Sequence, residues 1–114
     1  MSLTPEQVAA AQLEAYNAKD LERFAALHDP EVEGYDLAGE RLFAGRQALR
    51  ERYARRFETP GLKALVPHRV VLGARVVDHE LVWLDGEDAP PTELVVVYTV
   101  RDGMIRRVDF VRAA

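Results

Sequence analysis

Asp36 ends a short strand-like run, Val32 to Leu37, that directly follows two amphipathic helical segments. A strand leaving a helical lid can hold one carboxylate over an apolar cavity, where it becomes a candidate general base. Strand alternation puts Asp36 on the face of Val32, opposite Tyr35 and Leu37. The plainer role for the same residue is a turn or capping aspartate before Gly39. Gln12 is a second candidate, because it falls near the middle of an apolar helical stripe, Val8, Ala9, Leu13 and Tyr16. A polar amide there is either satisfied within the core or donates to a ligand. His79 shares a strand face with Val77, Leu81 and Trp83, so it is either a core histidine or a pocket acid/base. If it shares a cavity with Asp36, it can act as a donor.

Other chemistries find little support. His28, His68 and His79 form neither a His-x-His pair nor a His-Glu-x-x-His helix, which argues against a metal site. In Asp78-His79-Glu80 adjacent side chains point to opposite faces of a strand and cannot chelate together. The chain has no cysteine, and its one serine, Ser2, lies at the start, so neither a thiol nucleophile nor a usual serine triad is available. No glycine-rich phosphate loop implies a cofactor. Arg46, Arg50, Arg52, Arg55 and Arg56 make one segment basic, but Glu51 pairs with Arg55 one turn on, as on a solvated helix face. With 19 acidic against 15 basic side chains and a net charge of −4, neither nucleic acid nor a membrane surface is an expected partner.

The elements that must position these residues are legible in outline. At 114 residues, 48% apolar and 30% charged, the chain is expected to form one soluble domain, with Met1 to Leu3 as a disordered leader. It lacks a signal-peptide pattern and any apolar run near the roughly 18 residues of a membrane span, so a cytoplasmic location is the default. Thr4-Pro5-Glu6-Gln7 predicts a capped helix start, and Asp20 caps a second helix from Leu21 to about His28, ended by Asp29-Pro30. After a short Arg41 to Ala44 run, Gly45 precedes a third helix to about Glu58, with Leu49, Tyr53 and Phe57 on its inner face.

From there the period becomes strand-like: Lys63 to Leu72, Val76 to Leu84, Glu93 to Arg101 and Met104 to Arg112. Asp102-Gly103 is a strong hairpin turn and Gly73-Ala74 a weaker one, while Asp85 to Pro91 is a longer loop. Extending the Asp102-Gly103 hairpin pairs Val97 with Val108 and Val95 with Phe110, making the Val97/Phe110 face the expected pocket wall. Leu94 to Val97 is apolar on both faces, so the face away from the helices is expected to meet a second copy in a homodimer.

Helix, helix, short strand, helix and a curved meander resemble the nuclear transport factor 2-like fold, in its SnoaL-like and ketosteroid-isomerase-like branch. The resemblance rests on Asn17-Ala18-Lys19-Asp20-Leu21, Gly45-Arg46-Gln47-Ala48-Leu49-Arg50, Val70-Val71-Leu72-Gly73, Val76-Val77-Asp78-His79-Glu80 and Tyr98-Thr99-Val100-Arg101-Asp102-Gly103. It implies an α+β fold: a cone-shaped, curved antiparallel sheet with three helices over its concave face. It also implies that Asp36 takes the place of the isomerase's general base. The isomerase's oxyanion tyrosine is matched by Gln12 and its second aspartate by Val97 or Val95, so part of that site is absent. The implied activity is isomerase- or cyclase-type proton transfer on a small apolar carbonyl compound. Tyr16, Tyr53, Phe57, Trp83, Val97 and Phe110 are the expected cavity walls. A non-catalytic ligand-binding or dimerisation module of the same fold is the alternative.

Overall fold

The computed structural model describes residues 2–113. Thr4 and Gln7 close a reciprocal capping box at the start of α1 (Pro5–Asn17), with side chain to backbone distances of 3.2 and 2.9 Å. Asp20 caps α2 (Leu21–Ala26) through the Arg23 N–H. α2 stops earlier than Asp29-Pro30 implies, because the Leu27 carbonyl accepts from the Ile105 N–H at 2.8 Å and draws the chain into the sheet. The His28 imidazole, 1% exposed, is anchored at 2.8 Å to the Phe24 carbonyl. Asp29-Pro30 therefore falls in an irregular stretch of β1 (His28–Asp36), where the missing proline N–H costs no ladder bond.

The remaining elements are β2 (Arg41–Ala44), α3 (Arg46–Arg56), β3 (Lys63–Leu72), β4 (Arg75–Trp83), β5 (Thr92–Arg101) and β6 (Met104–Arg112). They form one curved six-stranded sheet in the order β2-β1-β6-β5-β4-β3. Neighbours are antiparallel except β1 and β6, which run parallel. Three helices cover one face, giving the α+β architecture implied by the sequence. Ser2 and Leu3 lie against the β5–β6 turn, with atoms 3.0–3.4 Å from where a side chain on Gly103 would sit. Met1 lies outside the described residues. No helix among these residues is long and apolar enough to cross a membrane.

The register of β5 against β6 decides which residues face the helices. Asp102 (φ +54°) and Gly103 (φ +77°) make the two-residue turn, and Arg101 faces Met104 as expected. Beyond the Val100–Ile105 pair the register shifts, leaving Arg106 as an extra residue, and Thr99 then pairs with Arg107. Arg106 is held outside the ladder by Asp29 Oδ1 at 3.3 Å and the Glu31 carbonyl at 3.0 Å. Consequently Val96 pairs with Phe110 and Tyr98 with Val108, whereas Val97 meets Asp109. The inner rows are Asp78–Val96–Phe110 and Val76–Tyr98–Val108, and Val95 and Val97 turn to the outer face.

Candidate functional site

A cavity opens between α1, the end of α3 and the inner face of β3 to β6, lined by polar Gln12, Tyr16, Tyr53, Glu80 and Tyr98. Its apolar wall includes Leu13, Val82, Leu94, Val96 and Phe110. The cavity volume is about 40 Å³, and the space not filled by atoms, open mouth included, is about 500 Å³.

Two carboxylates lie on the inner face of β4, an unusual placement that the structure supports with specific partners. Asp78 is completely buried and receives Arg69 Nε and Nη2 at 2.7 and 3.0 Å, a bidentate pair across the β3–β4 ladder. Glu80, 8% exposed, lies one pleat further toward the cavity and is met at 3.1 Å by the Tyr98 hydroxyl. Burial pushes the Glu80 carboxyl up to about 7; the Asp78 charge adds to this, and the Tyr98 hydrogen bond and Arg69 oppose it. Burial likewise pushes Tyr16 up to about 12 and Tyr98 well above the usual phenol range, so both stay neutral hydroxyls at neutral pH.

The Tyr98 hydroxyl also lies 3.3 Å from Gln12 Oε1, giving one proton two acceptors. Both contacts become hydrogen bonds when Glu80 carries a proton and donates to the Tyr98 oxygen. When Glu80 ionises, the Tyr98 proton turns toward it. Glu80, Tyr98 and Gln12 thus form a short relay whose polarity follows the protonation of Glu80.

Of the residues singled out in the sequence, the structure brings Gln12, Tyr16, Tyr53 and Phe110 to the cavity. Asp36 lies level with Phe110 in the β1–β6 ladder but does not line the cavity. Its Oδ1 accepts from the Glu40 N–H at 2.9 Å and its carbonyl from the Gly39 N–H at 3.0 Å, so it closes the turn into β2. His79 is corrected to the outer face, stacked on His68 with ring centroids 5.4 Å apart and bonded to Glu93 at 2.6 Å. Trp83 and Val97 share that outer face, Trp83 under the Lys63 ammonium at 5.8 Å. Phe57 packs against Tyr16 and Phe24 at 5.4 and 5.5 Å and is absent from the cavity wall.

The sequence reading missed Glu80, Tyr98 and the Arg69–Asp78 pair. A signal for the pair existed: the Gly73-Ala74 turn, extended in register, sets Arg69 opposite Asp78. Hydrophobic patterning hid it by assigning Val77, Leu81 and Trp83 to the core. Among the described residues no group of three or more His, Cys, Asp or Glu could hold a metal ion.

The model of the SnoaL-like domain matches residues 9–108. The chain belongs to the SnoaL-like family. No curated protein matches it. Among solved structures, this SnoaL-like domain is similar to an uncharacterised cystatin-fold protein of Novosphingobium aromaticivorans, with TM-score 0.84 and 22% identity over 97% of this chain and 100% of that one. It is also similar to a candidate ketosteroid isomerase of Kribbella flavida, with TM-score 0.80 and 23% identity over 96% and 78% of the two chains. An LEH-like epoxide hydrolase of M. tuberculosis superposes with TM-score 0.77 and 15% identity over 96% and 82%. At such identities the likeness is one of fold, and it places the SnoaL-like domain among cystatin-like and nuclear transport factor 2-like structures.

Proposed function

We propose that this domain catalyses proton transfer on a small, largely apolar carbonyl compound, with Glu80 as the acid/base. The observation that carries this reading is a carboxyl raised to about 7 inside an apolar cavity, poised between its two protonation states at neutral pH. Ionised Glu80 takes a proton from the carbon next to the carbonyl, and the Gln12 amide N–H and the Tyr16 and Tyr53 hydroxyls supply donors for the charge that develops on oxygen. The general-base role that the family resemblance suggests for Asp36 fits less well, because its carboxylate already closes a turn.

The two carboxylates are separated by following deuterium exchange next to the carbonyl of a hydrophobic cyclic ketone in D2O by NMR. Glu80→Gln is expected to slow enzyme-dependent exchange by about 100-fold or more. Asp36→Asn keeps it within about threefold and lowers stability by no more than about 1 kcal/mol, the worth of one turn hydrogen bond. The reverse ranking would return the role to Asp36.

The outer sheet face supports a second reading, a homodimer. Leu65, Val70 and Leu72 are 43%, 52% and 63% exposed there, beside Val77, Val95 and Val97. Sedimentation is expected to give a dimer that Val70→Glu dissociates; a wild-type monomer at ~100 μM would refute this reading.

A further inference from the structure

The cavity that holds Glu80 is apolar but carries two guanidinium groups, those of Arg56 and Arg112. Neither lies within 4.0 Å of a carboxylate among the described residues, although Arg69, just outside the cavity wall, is tied bidentately to Asp78. Arg112 occupies the same inner row as Glu80, with Leu94 between them, so their backbones are two strand spacings, roughly 10 Å, apart. They do not form an ion pair. Arg56, in the last turn of α3, stacks its guanidinium over the Tyr53 ring at 5.0 Å. The cavity therefore has an acid/base group on β4, an apolar middle and two cations, half-buried Arg56 and exposed Arg112, without a carboxylate partner among the described residues.

We infer that the substrate carries a carboxylate, bound by Arg56 and Arg112, with its apolar body along Leu94 and Phe110 and its reacting carbon at Glu80. A guanidinium presents a planar fork that matches a carboxylate, and at half-buried Arg56 such a pair is stronger than on an open surface, while Arg112 is exposed at the cavity mouth. The spacing also fits: the anionic head must sit away from Glu80, since a second negative charge beside it would hold its carboxyl protonated and remove the base. A neutral ketone would satisfy Glu80 and leave both guanidinium groups without a counter-charge among the described residues. The substrate class is accordingly an oxo acid whose carbonyl and carboxylate are separated by a short apolar spacer. This inference rests on the proposed use of the cavity for an apolar carbonyl compound.

The test uses 4-oxo-4-phenylbutanoate as the probe and its methyl ester as the neutral counterpart, with binding measured by calorimetry on the full chain at pH 7.5 and low salt. The acid is expected to bind at least about 10-fold more tightly than the ester, as charge-assisted hydrogen bonds allow. Added salt narrows the gap. In Arg56→Met, Arg112→Met and the double variant, checked for folding by thermal melting, the acid-to-ester ratio falls stepwise toward one. Equal binding of acid and ester by the wild type, no binding of the acid, or a ratio that survives the double variant would overturn the inference. An arginine-dependent preference for the acid without Glu80-dependent deuterium exchange would instead leave the inference standing and defeat the catalytic reading.

Discussion

Replacing Arg69 with methionine is expected to lower stability by about 3–5 kcal/mol, the usual cost of removing one partner from a buried ion pair. Asp78 has a fully buried side chain and Arg69 is 20% exposed, so without the guanidinium the carboxylate keeps neither a counter-charge nor water. Urea unfolding at pH 7 is the measurement, and against the 5–15 kcal/mol typical of domains the loss would leave the variant close to unfolding. Arg69→Met combined with Asp78→Leu should recover most of the loss, because two apolar side chains can replace a buried pair. A single variant as stable as wild type would show that the pair does not secure the floor of the cavity.

The second large effect is a pair of opposed pH dependences. Burial lowers His28 from 6.5 to about 4, with the nearby Arg46 charge also lowering it and the hydrogen bond to the Phe24 carbonyl working the other way. Between those values the unfolded chain binds more protons, so stability rises with pH and the gain is complete above 6.5. Glu80 is raised from 4.5 to about 7, so over that interval the folded chain binds more protons and stability falls as pH rises. Each shift corresponds to about 3 kcal/mol. From pH 4.5 to 6.5 the two slopes oppose each other and leave this part of the wild-type profile nearly level.

Glu80→Gln removes one side of that balance. Its stability should climb by about 3 kcal/mol relative to wild type between pH 4.5 and 7.5, making it the more stable protein at neutral pH while it loses activity. Urea unfolding of both proteins across this range gives the difference directly, and contributions from other groups cancel. A difference independent of pH would mean that Glu80 titrates normally and is not the raised acid/base of the cavity.

Local chemistry in the chain was sufficient for much of the framework. Thr4 with Gln7 starts α1, Asp20 starts α2, Asp102-Gly103 makes the last hairpin turn, and the strand-like periods from Lys63 onward become β3 to β6. Gln12, Tyr16, Tyr53 and Phe110 could be placed at the cavity because a helical stripe or a strand alternation carries each of them inward. Those signals act over a few residues, where backbone geometry and hydrogen bonding leave few choices.

The identity of the acid inside the cavity was not legible in the same way. It depends on which face of β4 and β5 is turned inward, and patterning favoured Val77, Leu81 and Trp83 over Asp78 and Glu80. The Arg106 bulge displaces the β5–β6 register by one residue, which exchanges every pair beyond it between the two faces and puts Val96 and Tyr98, not Val97, beside the cavity. Likewise, Asp36 has the inward parity expected of it, yet the Glu40 N–H four residues on claims its carboxylate. Most of the elements, the Asp102-Gly103 turn and the family are legible in the residues, but the early end of α2 and the long β1 are not, because the Ile105 N–H draws Leu27 into the sheet from far along the chain. Long-range packing also makes Glu80 the carboxyl in the cavity, because Arg69 and Tyr98 reach β4 from neighbouring strands and allow its charged face to be buried.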